Sequence, residues 1–205
     1  MDFIAVLNYE HLDNGMFLTA FAKSLSQKKK RGIILHGDSE YTERIIQTGV
    51  MREDAVKRSM KDLNHRLVAL FADQGISTIG INGYQKSLIT IENGDLKIDK
   101  EQIEKLPEHP MILISSLVNN LDTNSIEPAS ISELSFAFQK QFGLDFVTTF
   151  SIKDSVNIIK EDLPKLVKPS RSDQKTLTDH VPGAFHSENQ EILLSTPDIF
   201  GKTDE

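Results

Sequence analysis

Six histidines, a scatter of serines and a few glycine-bearing turns are the residues of this 205-residue chain whose chemistry needs placing first. His11, His36, His65, His109, His180 and His186 never fall four apart on one helix, nor beside paired carboxylates at ligand spacing, so no metal site is expected. Ser39, Ser115 and Ser116 follow apolar runs, where a hydrolase carries its nucleophile, yet no Gly-x-Ser-x-Gly elbow surrounds any of them. Cysteine is absent, which removes thiolate nucleophiles, disulfides and thiolate-bound zinc and points to a reducing compartment. Asp122, Asp145 and Asp154 lie near strand ends, where carboxylates are ordinarily just solvated. Lys28-Lys29-Lys30-Arg31, the one basic cluster, reads as a solvated helix end whose cations favour the C-terminal dipole, with a local anion site as the other reading.

The elements that must position these groups alternate. Short apolar runs at Phe3–Leu7, Ile33–Leu35, Thr78–Ile81, Met111–Ser115 and 145–150 predict strands, and between them apolar residues recur at helical spacing. Phe17, Phe21 and Leu25 mark one helix; Val56, Met60, Leu63, Leu67 and Leu70 mark a long one over 53–73, stopped by Gln74-Gly75. Asn93-Gly94 between 88–92 and 96–98 predicts a hairpin, because both residues tolerate positive φ. A short helix is expected at 100–106 and another on the stripe Ile131, Leu134, Phe138 and Phe142. Residues 168–190 are polar and broken by Pro169, Pro182 and Gly183, so a loop or partly disordered segment is expected there, before a last strand at Ile192–Ser195. The pattern is that of an α/β protein, a three-layer αβα sandwich with a mainly parallel sheet. Asn82-Gly83, directly after one strand, is then either a plain turn or part of the cleft that open sheets form at their C-terminal edge.

Composition narrows the classes. A formal charge of -7 argues against a nucleic-acid surface, which carries a basic face to displace counterions. No apolar run approaches a membrane span, and the start lacks the basic region of a signal peptide, so a cytoplasmic protein is expected.

The order of these elements, with particular residues on them, resembles the amino-acid kinase family and its carbamate kinase-like fold, above all the acetylglutamate kinase branch. Ile33-Ile34-Leu35-His36-Gly37 is similar to the family strand that ends in a His-Gly-Gly-Gly turn, and Leu63-Asn64-His65-Arg66 resembles its asparagine-bearing helix. Gln74 to Ile81, with Gly80, resembles the strand that follows. The resemblance implies a core over 1–155, with 156–205 as a shortened remnant of the nucleotide-side half. It also implies a substrate side built from Gly37, Asp38, Ser39, Arg52, Asn82 and Gly83, with Arg52 gripping a carboxylate; a solvent-facing Arg52 beside Glu53 and Asp54 is the competing reading.

Against the family pattern, Val6 stands where the phosphate-binding lysine belongs, Asn8-Tyr9 replaces paired glycines, Asp38-Ser39 replaces two more, and Ser132 falls at the catalytic aspartate. Phosphoryl transfer depends on such cations and free amide donors, so no catalytic residue and no cofactor are expected. The expectation is a silent relative that binds a small acidic or acylated amino acid, or serves as a regulatory or interaction module. Like its family it would pair into homodimers through the long helix and the adjoining sheet edge. The alternative is an active kinase of an acylated amino acid, using ATP and Mg²⁺ with Lys153 or Lys160 as its cation. Tyr9 is the side chain expected to decide whether the cleft is open or filled.

Overall fold

The structure, a computed structural model, describes residues 1–153 and 163–202. Five parallel strands form its centre: β1 (Phe3–Leu7), β2 (Gly32–His36), β3 (Thr78–Asn82), β6 (Met111–Ser115) and β9 (Val147–Phe150). Two more from the tail, β10 (Lys165–Val167) and β11 (Ile192–Ser195), complete a seven-stranded sheet in the order β10-β11-β9-β1-β2-β6-β3, in which only β10 runs antiparallel to its neighbour. Strands buried on both faces read as unbroken apolar runs, which is why β1, β2 and β6 were visible in sequence.

Each strand sends alternate side chains to opposite faces. Ala5, Leu7, Ile34 and Leu113 pack against α2 (Gly15–Leu25), α4 (Arg52–Asp73) and α8 (Pro197–Phe200), through Phe21, Leu67, Phe71 and Phe200. Ile4, Val6, Ile33, Leu35 and Ile112 face the other side, where α6 (Ile131–Phe142) contributes Leu134 and Phe138. The same side carries a second, four-stranded sheet in the order β5-β4-β7-β8, made of β5 (Asp95–Ile98), β4 (Ile89–Glu92), β7 (Leu117–Asn120) and β8 (Ser125–Pro128). Helices and a small sheet thus enclose the main sheet in three layers.

Local signals explain the boundaries. Asn14 caps α2 by accepting from the Phe17 N–H at 3.0 Å, and Ser130 caps α6 by accepting from Glu133. Asn93 and Gly94 turn the β4–β5 hairpin at φ of 55° and 79°. Gly80 lets α4 lie close over β3, since a Cβ there would sit 2.4 Å from Asn64 Oδ1.

Residues 168–190, expected as loop, contain α7 (Gln174–His180). Asp173 starts it, accepting from the Thr176 N–H at 2.9 Å and the Thr176 hydroxyl at 2.7 Å. The strand expected at Ile192–Ser195 is present, and it pairs parallel with β9 inside the main sheet. The basic cluster lies beyond α2 rather than on its last turn: Lys28 stands over the Phe3 and Phe200 rings and Arg31 donates to the Pro110 carbonyl. Residue 155, the expected core boundary, along with Asp154 and Lys160, lies outside the described residues. No described helix is long and apolar enough to cross a membrane.

Candidate functional site

The C-terminal ends of the parallel strands form a rim with two unlike halves. In the half built by β2, β6 and β3, polar groups satisfy one another. His36 ends β2 fully buried; Asn64 Nδ2 from α4 donates to its Nε2 at 3.1 Å, which leaves the Nδ1–H to donate to the Gly37 carbonyl at 3.1 Å. Burial holds this imidazole neutral, with its pKa lowered to about 4, and the bond to Gly37 opposes that shift without cancelling it. On β6, the Ser115 hydroxyl donates to Asn82 Oδ1 at 2.9 Å and the Ser116 N–H donates to the His36 carbonyl at 2.9 Å. The Asp38 carboxylate turns into its own loop, accepting from the Ser39 N–H at 2.8 Å and from the Thr42 hydroxyl of α3 (Tyr41–Ile46). Burial raises its pKa, against the pull of those two bonds.

The other half, where β1 and β9 end, is left open. Asn8, 1% exposed, donates to Thr149 Oγ1 at 2.7 Å, but its Oδ1 has no partner among the described residues. His11 lies on α1 (Tyr9–Leu12), 3% exposed and stacked on Phe17 with ring centroids 4.2 Å apart. Its Nε2–H donates to the Ser151 carbonyl at 3.3 Å, and its Nδ1 is likewise unpartnered. Burial lowers its pKa to about 4, so the ring is neutral and that nitrogen is an acceptor. Asp13 Oδ2 is a third buried acceptor without a donor.

Beside Asp13 runs an open trough of about 1310 Å³, bordered by Tyr9, Glu10, Asp13, Glu40 and Asp198, with Lys23 as the one cation among the described residues that line it. It continues into a smaller cavity of about 290 Å³ lined by His11, Ser151 and Lys153, with Glu10, Met16, Ala20 and Asp198 common to both. Lys153 is held by Asp179 at 2.7 Å. The Tyr9 phenol is pushed up, first by burial and then by the carboxylates of Asp38, Glu40, Glu43 and Asp13. At 48% exposure it borders the trough rather than filling it. The inward-turned side chain at this strand end is that of Asn8.

The expected substrate-side residues divide. Gly37, Asp38 and Ser39 on one strand end and Asn82 and Gly83 on another are brought to one rim, with β6 between them. Gly83 is packed against backbone: a Cβ there would meet the Leu117 carbonyl oxygen at 2.6 Å. Arg52 stands apart, 66% exposed and paired with Glu43 at 2.9 Å. Val6 is fully buried among apolar side chains, and Ser132 exchanges a hydroxyl bond with Ser130 at the start of α6. His11, Asp13, Glu40 and Asp198 were not singled out as site residues by sequence. The acids look like any solvated charge until β11 places Asp198 beside α2.

No family model matches the chain, and no curated protein matches it. Solved structures do. Uridylate kinase from Archaeoglobus fulgidus aligns at a TM-score of 0.54 and 12% identity over 99% of this chain and 95% of its own. Isopentenyl phosphate kinase from T. acidophilum aligns at 0.57 and 11%, over 73% and 70%. N-acetylglutamate synthase from Neisseria gonorrhoeae, solved with coenzyme A and N-acetyl-glutamate, aligns at 0.62 and 12%, over 98% of this chain and 55% of that longer one. The fold is that of the amino-acid kinases. At these identities the likeness is one of fold. Within the amino-acid kinase fold, this chain turns an acid-lined trough to the end of β1.

Proposed function

We propose that the chain is a catalytically silent, acetylglutamate kinase-like protein of the cytoplasm that binds a small molecule and acts as a regulatory or interaction module. One observation carries this reading: among the described residues, four carboxylates and a single lysine border the trough at the end of β1. A phosphoryl group in transit spreads negative charge over its oxygens and needs fixed cations or amide donors around it. Here Val6 is apolar and buried, Arg52 is engaged by Glu43, and Lys153 is engaged by Asp179. Neither ATP nor Mg²⁺ has a part in this reading.

Isothermal titration with ATP–Mg²⁺, beside a coupled assay of ADP release on the unaltered chain and on Lys153→Ala, tests it. Neither binding nor turnover is expected; tight nucleotide binding, or turnover lost in Lys153→Ala, would instead establish a working phosphotransferase. An acidic or acylated amino acid is the ligand implied by the family resemblance; Arg52, the cation expected to grip it, is engaged by Glu43, and a parallel titration with N-acetylglutamate tests that occupant.

Pairing into a homodimer through α4 and β3 belongs to the same proposal. β3 is the outer strand of the main sheet, its Ile79 and Ile81 are only half-buried, and a groove of about 800 Å³ runs beside it. Unprotected edges of this kind pair readily with another strand. Light scattering after size exclusion is expected to give twice the chain mass, and a strict monomer would remove this part of the proposal.

A further inference from the structure

We propose that the trough and its inner cavity bind a short aliphatic dication, a diamine or an amine carrying a guanidinium, with one head at His11 and the other between Asp13 and Glu40. The inference rests on reading the trough as a ligand site rather than a phosphoryl-transfer site, and it names the chemistry of the ligand.

The first argument is the sign of what is missing. His11 Nδ1, on a residue lining the inner cavity, and Asp13 Oδ2, on a residue bordering the outer trough, are buried acceptor atoms without a partner among the described residues. Buried polar atoms are nearly always matched, so two unmatched acceptors two residues apart in sequence call for donors. An ammonium offers three N–H donors and a guanidinium five, and neither has an acceptor. A carboxylate or phosphate supplies none of the missing donors and would add charge where Glu10, Asp13, Glu40 and Asp198 already stand. Burial first, and then the carboxylates of Asp38, Glu40, Glu43 and Asp13, raise the Tyr9 phenol on the same border.

The second argument is shape. The inner cavity, about 290 Å³, holds His11 and the Ser151 turn, whereas Asp13 and Glu40 border only the outer trough. Between the two acceptor stations the shared wall includes Met16 and Ala20. Met16 is 77% exposed, a large apolar side chain standing in water beside the trough. An alkyl chain lying across it would cover that surface while its two ends reach the two stations. Lys23, exposed, borders only the outer trough, and Lys153, which lines the inner cavity, has its charge engaged by Asp179 at 2.7 Å.

The test uses the full chain near neutral pH, titrated separately with putrescine, agmatine, methylammonium, inorganic phosphate and N-acetylglutamate, and read by calorimetry and amide NMR. Putrescine and agmatine are expected to bind at least about 10-fold more tightly than methylammonium. The amides they move should be those of α1, the first turns of α2, Ser151–Lys153, Thr196 and Asp198. His11→Phe, which keeps the stack on Phe17 and removes the acceptor, is expected to weaken both by about 10-fold or more. Should that variant fail to fold, the double change Asp13→Asn with Glu40→Gln at the outer station carries the test, and it should erase the advantage of two heads over one. Amines that move none of these amides, phosphate or N-acetylglutamate moving them instead, unchanged affinity in the folded variants, or crystals grown with putrescine that show only ordered water at His11 would each overturn the proposal. Amine silence together with absent ATP turnover would overturn this inference alone, whereas ATP turnover would overturn the functional reading on which it rests.

Discussion

The two halves of the strand-end rim are made from the same residue types and differ in how completely they are matched. On the β2–β6–β3 side a fully buried histidine has both ring nitrogens occupied, by Asn64 and by the Gly37 carbonyl, and Ser115 satisfies Asn82. On the β1–β9 side an almost equally buried histidine has one nitrogen occupied and one idle among the described residues, and Asn8 repeats the pattern. Matched networks in a low-dielectric interior fix a single arrangement, whereas unmatched groups store a cost that a ligand can relieve. The contrast teaches that, among the described residues, this scaffold satisfies one half of its rim with internal partners and leaves acceptors unmatched in the other.

The largest expected effect of that burial is an acid sensitivity that both halves share. His36 and His11 titrate near 4 in the folded chain against an ordinary 6.5, because burial penalises the imidazolium. As pH falls from 6.5 towards 4 the unfolded chain takes up protons that the folded one refuses, so stability declines across that window and levels off below it. Each imidazole contributes on the order of 3 kcal/mol to this loss. Urea unfolding midpoints measured across the window check it. A flat profile would mean that neither ring is held neutral by burial.

Next in size is Asn64→Ala, which strands His36 Nε2 and is expected to cost about 2 kcal/mol in urea unfolding. A loss below about 0.5 kcal/mol, the size of an ordinary surface change, would mean that the closed half is not held by this pair.

The sequence revealed the frame that supports this contrast but not the contrast itself. The doubly buried strands, the α4 stripe and the Asn93-Gly94 turn each carry a periodic or turn signal strong enough to read alone. β8 did not, because Ser125-Ile126-Glu127-Pro128 is short, half-exposed and barely apolar. α7 did not, because seven residues with one apolar side chain, Leu177, show no stripe; its start was signalled only by Asp173. At the site, an apolar Val6 and a glycine-free Asn8-Tyr9 at the end of β1 were legible. The acidic trough was not, because Asp198 reaches it only once β11 has paired with β9 from the far end of the chain. Matching is a property of pairs, and Asn64 with His36, 28 residues apart, is a pair only in three dimensions.

His11→Phe sharpens the contrast from the open half. It removes an acceptor that already lacks a donor, keeps a ring against Phe17, and gives up one hydrogen bond to the Ser151 carbonyl. The lost bond and the relieved acceptor oppose each other, so unfolding stability near neutral pH is expected to change by less than about 1 kcal/mol in either direction. Should this variant lose as much as Asn64→Ala, the two histidines would be equivalent and the idle nitrogen would carry no meaning.

The smallest effect comes from a third cluster that separates matching from burial. At the tip of the second sheet, Asp122 accepts from the Asn93 N–H at 2.9 Å and from the Gly94 N–H at 3.0 Å, and these bonds hold its carboxyl below the usual range. The cluster is as well matched as His36 with Asn64, yet it stands in solvent, where water replaces any donor that is lost. Asp122→Ala is therefore expected to speed amide exchange at Asn93 and Gly94 while leaving the global unfolding midpoint where it was. A global loss comparable to that of Asn64→Ala would mean that matching alone, wherever it occurs, sets the cost. The difference between the two halves of the rim would then reflect their hydrogen bonds and not the low dielectric around them.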